Sequence, residues 1–216
     1  MGALPDKQSI TAVILAGGRG LRMEGLDKGL QLFNSMTLAQ HALMRLAPQV
    51  GTVIINANRN LKTYETFGIP VFSDDNALGE FAGPLAGVLT ALQNCKTPYL
   101  LTVPCDAPLF PADLAARLAT ALTTENADIA VASALESTPA GDIFSPQPVF
   151  SLMNVNVLKS LLDYTQSGGR KVSNWIAKHS VAFVPFDQPH DKQDAFFNAN
   201  TLEELDHAQS LRPKSL

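Results

Sequence analysis

The sequence predicts an α/β fold in which a mostly parallel central sheet carries helices on both faces. Short runs of β-branched and other apolar residues recur along the chain, and helical patterns lie between them. Such runs are typical of strands buried in a parallel sheet, and their alternation with helices is typical of layered α/β folds. We predict strands over residues 11–15, 52–56, 69–72, 99–103, 128–134 and 181–186.

The intervening helices are predicted from apolar residues that share one helical face. Leu38 and Ala42 have this spacing, and so do Leu85 and Leu89. Pro84 lies where the first turn of a helix tolerates its missing N–H group. Further helices are predicted over 111–122, 155–164 and 171–179.

The C-terminal third of the chain alternates less regularly. A strand is predicted over 149–153, and a proline and a glycine predict a mobile surface loop over 137–145. Thr201 and Glu204 have the spacing of a capping box, which predicts the start of a last helix.

The composition is that of a folded domain with modest charge. The chain has 216 residues, of which 46% are hydrophobic and 17% charged, so it can bury a core and is not disordered. We predict one domain over 1–216. The net charge of −4 provides no general attraction to nucleic acid or to a membrane, and we expect neither as a partner. A polyanionic ligand therefore needs a local cluster of cations.

The cysteines and the N-terminal residues bear on the cellular compartment. Cys95 and Cys105 are too few for a disulfide framework and lack the spacing of a zinc or haem site. The first ten residues contain no basic stretch followed by a long apolar run, and the longest apolar runs are strand-sized. We expect a cytoplasmic protein without a signal peptide or membrane span.

The segment after the first strand combines glycines with cations. Residues 17, 18 and 20 are glycines, which let backbone N–H groups approach a phosphate chain, and Arg19, Arg22 and Lys28 would neutralise it. No Gly-Lys-Ser/Thr sequence closes this loop, and Met23 stands where a dinucleotide-binding motif needs glycine or alanine. The pattern favours a nucleoside triphosphate site over a hydride-transfer site. A glycine-rich connection with solvated basic residues is the alternative.

A carboxylate follows the predicted strand over 99–103. Asp106 would lie at the carboxyl edge of the sheet, facing the triphosphate, where one carboxylate together with phosphates and water is enough to hold Mg²⁺. The alternative is that Asp106 only caps the next turn, as aspartate beside proline often does.

Polar residues also end other predicted strands. Asn56 and Asp74 can contact a base or a ribose, although such residues also form ordinary turns. Asn198 and Asn200 share one side of an extended segment, or they simply precede a helix. No histidine lies within these clusters, which suits a reaction whose nucleophile is an anionic phosphate.

Taken together, these motifs resemble the molybdenum cofactor guanylyltransferases within the larger nucleotidyltransferase family. The resemblance covers residues 10–205 and leaves 206–216 as a helix end and tail. Its motifs are Leu-Ala-Gly-Gly at 15–18, Asp-Lys-Gly-Leu at 27–30, Asn-Ala-Asn-Arg at 56–59, Pro-Cys-Asp at 104–106 and Asn-Ala-Asn-Thr at 198–201.

The resemblance implies a Rossmann-like nucleotidyltransferase fold, with GTP and molybdopterin as substrates and Mg²⁺ as cofactor. GMP would be joined to the terminal phosphate of molybdopterin, with release of pyrophosphate. Carried over by position, the roles fall into three groups. Nucleotide-binding residues are Leu15, Ala16, Gly17, Gly18, Lys28, Asn56, Asp74 and Asp106; catalytic residues are Lys28, Arg22 and Asp106, the last also the metal ligand; acceptor-binding residues are Asn198 and Asn200.

Three departures from the family pattern fall outside the predicted phosphate and metal ligands. The chain has Ser-Met-Thr-Leu at 35–38 where relatives commonly have Gly-Lys-Pro-Leu, Gln147-Pro148 where they often have His-Pro, and Glu24 where a small residue is usual. The alternatives are a CTP-dependent or sugar-phosphate nucleotidyltransferase and a non-catalytic nucleotide sensor. We expect a monomer that makes transient contacts with proteins that deliver and receive the cofactor.

Overall fold

The central feature of the structure is a mixed sheet with helices on both faces. The computed structural model describes residues 4–18, 25–74, 83–139, 141–191, 194–199, 201 and 203–205. Within these residues, seven strands form one sheet in the order β5-β4-β1-β6-β8-β7-β9. They are β1 (Ile10–Leu15), β4 (Thr52–Asn56), β5 (Val71–Phe72), β6 (Tyr99–Pro104), β7 (Ile129–Thr138), β8 (Gly141–Asn154) and β9 (Val181–Phe186), and a separate two-stranded ribbon consists of β2 (Leu32–Phe33) and β3 (Met36–Thr37).

Most neighbouring strands of the sheet are parallel. The pairs β1–β4, β1–β6, β4–β5 and β7–β9 are parallel, whereas β8 runs antiparallel to both β6 and β7. The predicted fold class, a mostly parallel sheet in an α/β fold, is therefore confirmed. Because β4, β1 and β6 are adjacent and parallel, their carboxyl ends meet at one edge of the sheet.

Two layers of helices cover the sheet. The described helices are α1 (Leu38–Leu46), α2 (Leu61–Glu65), α3 (Pro84–Asn94), α4 (Leu114–Thr124), α5 (Leu158–Gln166) and α6 (Val172–Ile176). The apolar faces of α1 and α4 belong to one buried core, and those of α3, α5 and α6 belong to the core on the other side. A reciprocal Thr37–Gln40 capping box opens α1, and Pro84 occupies the first turn of α3 as predicted.

The predicted loop over 137–145 is wrong, because most of this stretch belongs to strands. β7 continues to Thr138, β8 starts at Gly141, and Leu135 pairs with Phe144 across the two strands. Gly141 has a φ of 117°, which lets the chain reverse there. The cross-strand pairs supply backbone hydrogen bonds that a reading of local residue types does not reveal.

Other element boundaries differ from the predicted ones by a few residues. β5 is shorter than the strand predicted over 69–72, α4 begins three residues after the helix predicted from 111, and helix α2 was not predicted. The Thr201–Glu204 capping box is present, with both of its hydrogen bonds. No helix among the described residues is long and apolar enough to span a bilayer.

Candidate active site

The candidate active site lies where strands β4, β1 and β6 end side by side. The Ala16 N–H donates to the Asn56 carbonyl at 2.8 Å, and the Cys105 N–H donates to the Leu15 carbonyl at 3.1 Å. These backbone bonds bring the ends of three predicted motifs together. The predicted nucleotide residues Leu15, Ala16, Gly17 and Gly18 therefore lie between the Asn56 turn and the Asp106 turn.

An ion pair joins two of the charged residues that the sequence singles out, Lys28 and Asp106. The Lys28 ammonium nitrogen lies 3.0 Å from Oδ2 of Asp106, and their side chains are 21% and 15% exposed. Lys28 opens a short 3₁₀ turn, Lys28–Leu30, whereas Asp106 directly follows β6 and Cys105. The predicted phosphate ligand and the predicted metal ligand thus share one partly exposed position.

A carboxylate held by two asparagines occupies the other side of the β1 end. Nδ2 of Asn56 and Nδ2 of Asn58 each donate to one oxygen of Asp74 at 2.7 Å, and the Thr90 hydroxyl donates to Oδ1 at 3.4 Å. Asn58 Oδ1 also accepts the backbone N–H of Asp74 at 2.9 Å. An ionised carboxylate has about four acceptor positions, so Asp74 retains capacity for a ligand that donates hydrogen bonds.

Gly17 packs against this cluster so closely that a side chain has little room. A Cβ atom at position 17 would lie 3.0 Å from Asn58 Nδ2 and 3.2 Å from Asn56 Oδ1. Asn56 is 2% exposed, beneath the glycine segment. The contact lets the backbone of the segment lie directly over the two amides, and the glycine leaves that backbone accessible to a ligand.

Residues 194–199, called here the Asn198 segment, join the site through the main chain. The Ala199 N–H donates to the Asp106 carbonyl at 2.9 Å, which brings the segment that contains Asn198 against the Asp106 turn. Phe196 anchors the segment below, because its ring stacks edge-on against Phe150 and Phe186. The predicted phosphate-neutralising residues Arg19 and Arg22 and the predicted acceptor contact Asn200 lie outside the described residues.

A cavity of about 370 Å³ borders the same segment, between it and the β7–β8 ribbon. Phe196, Phe197 and Asp194 line one side of the cavity, and Glu136 and Gln147 line the other. β8 pairs with β6 through Thr102 and Ser151. Because β8 runs antiparallel to β6, its residues before Ser151 extend past the carboxyl end of β6, toward the level of Asp106.

The residues around Asp106 suit Mg²⁺ as a ligand shared with a triphosphate. Among the described residues, the one group of three or more His, Cys, Asp and Glu side chains close enough to hold a metal is Asp113, His190 and Asp191, which does not include Asp106. Asp106 therefore offers a single carboxylate. Mg²⁺ commonly binds through one or two carboxylates plus phosphate oxygens and water, so this donor set fits when the phosphates are present.

Cys105 is not suited to act as a nucleophile. The side chain is 6% exposed, and burial raises the pKa of its thiol well above the usual range, with a further increase from the Asp106 carboxylate. A thiol with a raised pKa carries little thiolate at neutral pH. The site therefore relies on cations, amides and carboxylates.

Sequence reasoning missed two contributors to this geometry. Asn58 holds Asp74 as closely as Asn56 does, and its position two residues along an extended segment could have suggested that both share one side. Arg59, in the same motif, donates to the carbonyls of Gly25 and Leu26. That contact depends on the three-dimensional path of the chain after the glycine-rich segment, which brings residues 25 and 26 next to Arg59. The local sequence does not reveal this path.

Comparisons with known proteins place the chain in a defined class. The sequence model of the MobA-like NTP transferase domain matches residues 12–183. The chain is therefore a nucleotidyltransferase of the MobA-like type. It is 58% identical to the molybdenum cofactor guanylyltransferase of Acidovorax sp. (strain JS42), over 95% of this chain and 98% of that one. The corresponding protein of Bordetella pertussis is 53% identical over 95% and 99% of the two chains. This chain belongs to the molybdenum cofactor guanylyltransferase family, as its motifs predict.

Solved structures share the fold. The molybdopterin-guanine dinucleotide biosynthesis protein A of Archaeoglobus fulgidus superimposes with a TM-score of 0.73 at 19% identity, over 93% of this chain and 97% of that one. A CMP:2-keto-3-deoxy-manno-octonic acid synthetase superimposes with a TM-score of 0.69 at 11% identity, over 95% and 98% of the chains. The predicted nucleotidyltransferase fold is therefore confirmed.

Proposed function

We propose that this chain transfers GMP from GTP to the terminal phosphate of molybdopterin and releases pyrophosphate. The observation that carries the proposal is the Lys28–Asp106 pair, 3.0 Å apart, between the Asp74 cluster and the Asn198 segment. A cation and a carboxylate at this position suit the phosphates of a nucleotide that lies between a base-binding side and an acceptor side. The family of the chain supports the same reaction.

The nucleoside half of GTP is assigned to the Asp74 side. Asp74 carries negative charge and accepts hydrogen bonds, while guanine and ribose both present donors. Asn56 and Asn58 hold the carboxylate from below, and Asn56 contributes mainly through Asp74 because it is 2% exposed. The backbone of residues 15–18 would lie along the nucleotide toward the phosphates.

The triphosphate is assigned to Lys28, with Arg22 as a second cation predicted from the sequence. In the transfer step, an oxygen of the acceptor phosphate attacks the α-phosphorus of GTP. The bond from the α-phosphorus to the oxygen that bridges to the β-phosphate breaks, and that oxygen leaves with pyrophosphate. The acceptor phosphate is already anionic, so Lys28 has to position and neutralise charge, and no side chain has to remove a proton.

Asp106 would hold Mg²⁺ when nucleotide is present. A bound Mg²⁺ supplies positive charge that offsets the negative charge of the phosphates. Before nucleotide arrives, Lys28 neutralises the same carboxylate, so the site keeps its charges paired.

The acceptor is assigned to the Asn198 side of Asp106. Asn198 and the cavity lined by Gln147 and Asp194 border this side. Asn200 is a second contact predicted from the sequence alone. Aromatic and carboxylate groups in the cavity suit a heterocycle with N–H donors, such as a pterin. Gln147 occupies the position where the family often has histidine.

Several further statements belong to the proposal. We propose that residues 1–216 form one nucleotidyltransferase domain with its core at 10–205. We also propose that the chain works as a cytoplasmic monomer and contacts the proteins that deliver and receive the cofactor only transiently.

The test is reconstitution with purified components. Protein incubated with GTP, Mg²⁺ and molybdopterin should form the guanine dinucleotide and one pyrophosphate per product, and GTP should stay intact when the pterin is omitted. Preferred use of CTP would shift the assignment to a cytidylyl transferase, and transfer to a sugar phosphate would shift the acceptor class. Binding of GTP without any pyrophosphate release would indicate a nucleotide sensor instead.

A further inference from the structure

A buried polar network supports the turn that carries Lys28. Asp27 directly precedes the lysine, and its side chain is 5% exposed. The Tyr64 hydroxyl donates to Asp27 Oδ1 at 2.7 Å, and Asn60 Nδ2 donates to Oδ2 at 2.9 Å. Burial raises the pKa of Tyr64, so its hydroxyl stays protonated and keeps donating to the carboxylate.

Arg59 binds the same stretch of chain through a planar guanidinium. One terminal nitrogen donates to the Gly25 carbonyl at 2.6 Å and the other to the Leu26 carbonyl at 2.7 Å. Its Nε lies 3.7 Å from Asp27 Oδ2. Three contacts from one rigid group fix the direction in which the chain approaches Lys28, which a flexible lysine side chain could not do.

The residues that make these contacts belong to the turn that also holds Asp74. Asn56 and Asn58 face the Asp74 carboxylate, whereas Arg59 and Asn60 face the Gly25–Asp27 stretch. Residues 56–60 thus connect the nucleoside side of the site to its phosphate side through a single short segment.

The turn packs against this network without spare room. Gly29 is buried, and a Cβ atom at that position would overlap the Tyr64 hydroxyl. Tyr64 itself is fully buried in the core beneath α1 and β1. The Lys28–Leu30 turn cannot move closer to the core, because Tyr64 already fills the space beneath Gly29. A displacement of the Gly25–Asp27 stretch would therefore displace Lys28 as well.

We propose that Arg59 is a positioning residue that sets Lys28 against the phosphates, with Asp27, Asn60 and Tyr64 completing the support. The inference rests on the proposed function, because it assigns Lys28 to the phosphates of GTP. Displacement of a catalytic group by about 1 Å can lower a rate about a hundredfold. Loss of Arg59 should therefore lower kcat more than it raises the KM for GTP.

The first experiment compares Arg59→Ala, Arg59→Lys and Tyr64→Phe with Lys62→Ala. Lys62 is an exposed cation on α2 next to the network and serves as the matched control. We expect kcat to fall roughly 30-fold in Arg59→Ala and roughly 5-fold in Tyr64→Phe, with an intermediate value for Arg59→Lys and wild-type values for Lys62→Ala. Thermal unfolding without nucleotide identifies any variant that fails to fold, and Tyr64→Phe keeps the test open because it removes a single oxygen.

The second experiment is a double-mutant cycle with Lys28→Ala, measured on kcat and on the calorimetric affinity for GTP. If Arg59 acts through Lys28, Arg59→Ala should change either quantity by less than about 2-fold once Lys28 is absent. Persistence of the full Arg59→Ala effect in that background would overturn the inference and leave Arg59 with a purely structural role. Equal kcat for Arg59→Ala and wild type would also overturn it.

The affinity arm separates this inference from the proposed function. A wild-type protein that binds GTP but transfers nothing would refute the proposed reaction, while the binding cycle would still decide whether Arg59 acts through Lys28. A wild-type protein that binds no GTP would overturn both.

Discussion

The ammonium group of Lys28 and the carboxylate of Asp106 lie 3.0 Å apart, although 78 residues separate them in the sequence. An ion pair that retains partial exposure contributes little to stability, typically about 0.2–1 kcal/mol. The location of this ion pair where three strands end is therefore better explained by a role in ligand binding than by a contribution to the stability of the fold. The pair holds a cation and a metal-binding carboxylate ready for a ligand that needs both.

Lys28→Ala should impair turnover and leave the fold intact. The lysine side chain is partly exposed, so its removal takes little from the buried core. Removing one such contact to transition-state charge costs on the order of 3 kcal/mol, or about a hundredfold in rate. Steady-state kinetics of pyrophosphate release, together with thermal unfolding, measure the two effects separately.

Lys159→Ala is the matched control for this variant. Lys159 forms an ion pair of the same 3.0 Å length with Asp163, but it lies on the exposed face of α5 with 84% exposure. The Lys159→Ala variant should turn over GTP at the wild-type rate. Unchanged turnover in Lys28→Ala would remove Lys28 from the site.

Asp106→Asn should nearly abolish nucleotidyl transfer and change the free energy of unfolding by no more than about 1 kcal/mol. Asparagine preserves the size of the side chain and can still accept a hydrogen bond from Lys28, but it loses the charge that anchors Mg²⁺. Pyrophosphate release across a Mg²⁺ titration, alongside thermal unfolding without nucleotide, separates the two roles.

The opposite result has a defined meaning. If Asp106 only shapes its turn, asparagine should replace it well, since both residues favour turns by the same side-chain to backbone bonding. Near-normal rates with normal metal dependence would then eliminate Asp106 as the essential metal ligand. Asp74 would become the better candidate among the described residues, and the assigned orientation of GTP would be reversed.

Most strands of the sheet could be predicted because their own pattern of apolar side chains indicates them. The predicted bounds of β4 and β9 agree with the structure, as each is a short run of buried or alternating apolar residues. The ribbon of β7 and β8 could not be predicted in the same way. Its outer half includes exposed Ile143 and Phe144 among polar residues and prolines, and it is held by pairing between β7 and β8 across the turn that follows Thr138.

The site was predictable where parallel strands bring motifs to one edge. Leu15, Asn56 and Asp106 meet there for that reason. The support of Lys28 by Arg59 and Tyr64 was not predictable, because it depends on the path of the chain between β1 and α1 in three dimensions. The roles of Arg22 and Asn200 remain predictions from the sequence.

GTP should be preferred strongly over ATP, and Asp74 should contribute to that preference. The carboxylate already accepts from Asn56 and Asn58, and its remaining acceptor capacity favours a ligand that donates hydrogen bonds. Guanine presents donors along its Watson–Crick edge where adenine presents an acceptor at N1. We expect Asp74→Asn to lower kcat/KM for GTP roughly 30-fold, since an unmatched buried donor costs about 1–3 kcal/mol.

Competition assays with ATP and CTP measure this selectivity. Asp163→Asn, which alters an exposed carboxylate on α5, provides the matched control and should behave as the wild type. Equal use of ATP by the wild-type protein would refute the assignment and reopen the related nucleotidyltransferase functions.

Alkaline pH should destabilise the fold through Cys105. Burial first, and the Asp106 carboxylate second, raise the pKa of this thiol in the folded chain, whereas in the unfolded chain it ionises near about 8.5. A group whose pKa is higher in the folded state stabilises the fold fully below the unfolded pKa and loses that contribution as pH rises. The free energy of unfolding should therefore fall above about pH 8.5, by up to about 1.4 kcal/mol per pH unit from this one group.

Denaturant unfolding between about pH 7.5 and 9.5 measures this slope, a window chosen to stay below the ionisation of an unfolded tyrosine at about 10. Cys105→Ala should flatten the slope, and Cys95→Ala, which removes the partly buried thiol that follows α3, is the matched control. In the folded protein at pH 8, a thiol reagent should modify Cys95, which is only partly buried, well before Cys105. Equal slopes in the two variants, or rapid modification of Cys105 without unfolding, would show that the thiol is neither enclosed nor held in its neutral form. The core side of the Asp106 turn, where Cys105 lies, would then be accessible to solvent. The proposed placement of the phosphates against this turn would lose its support.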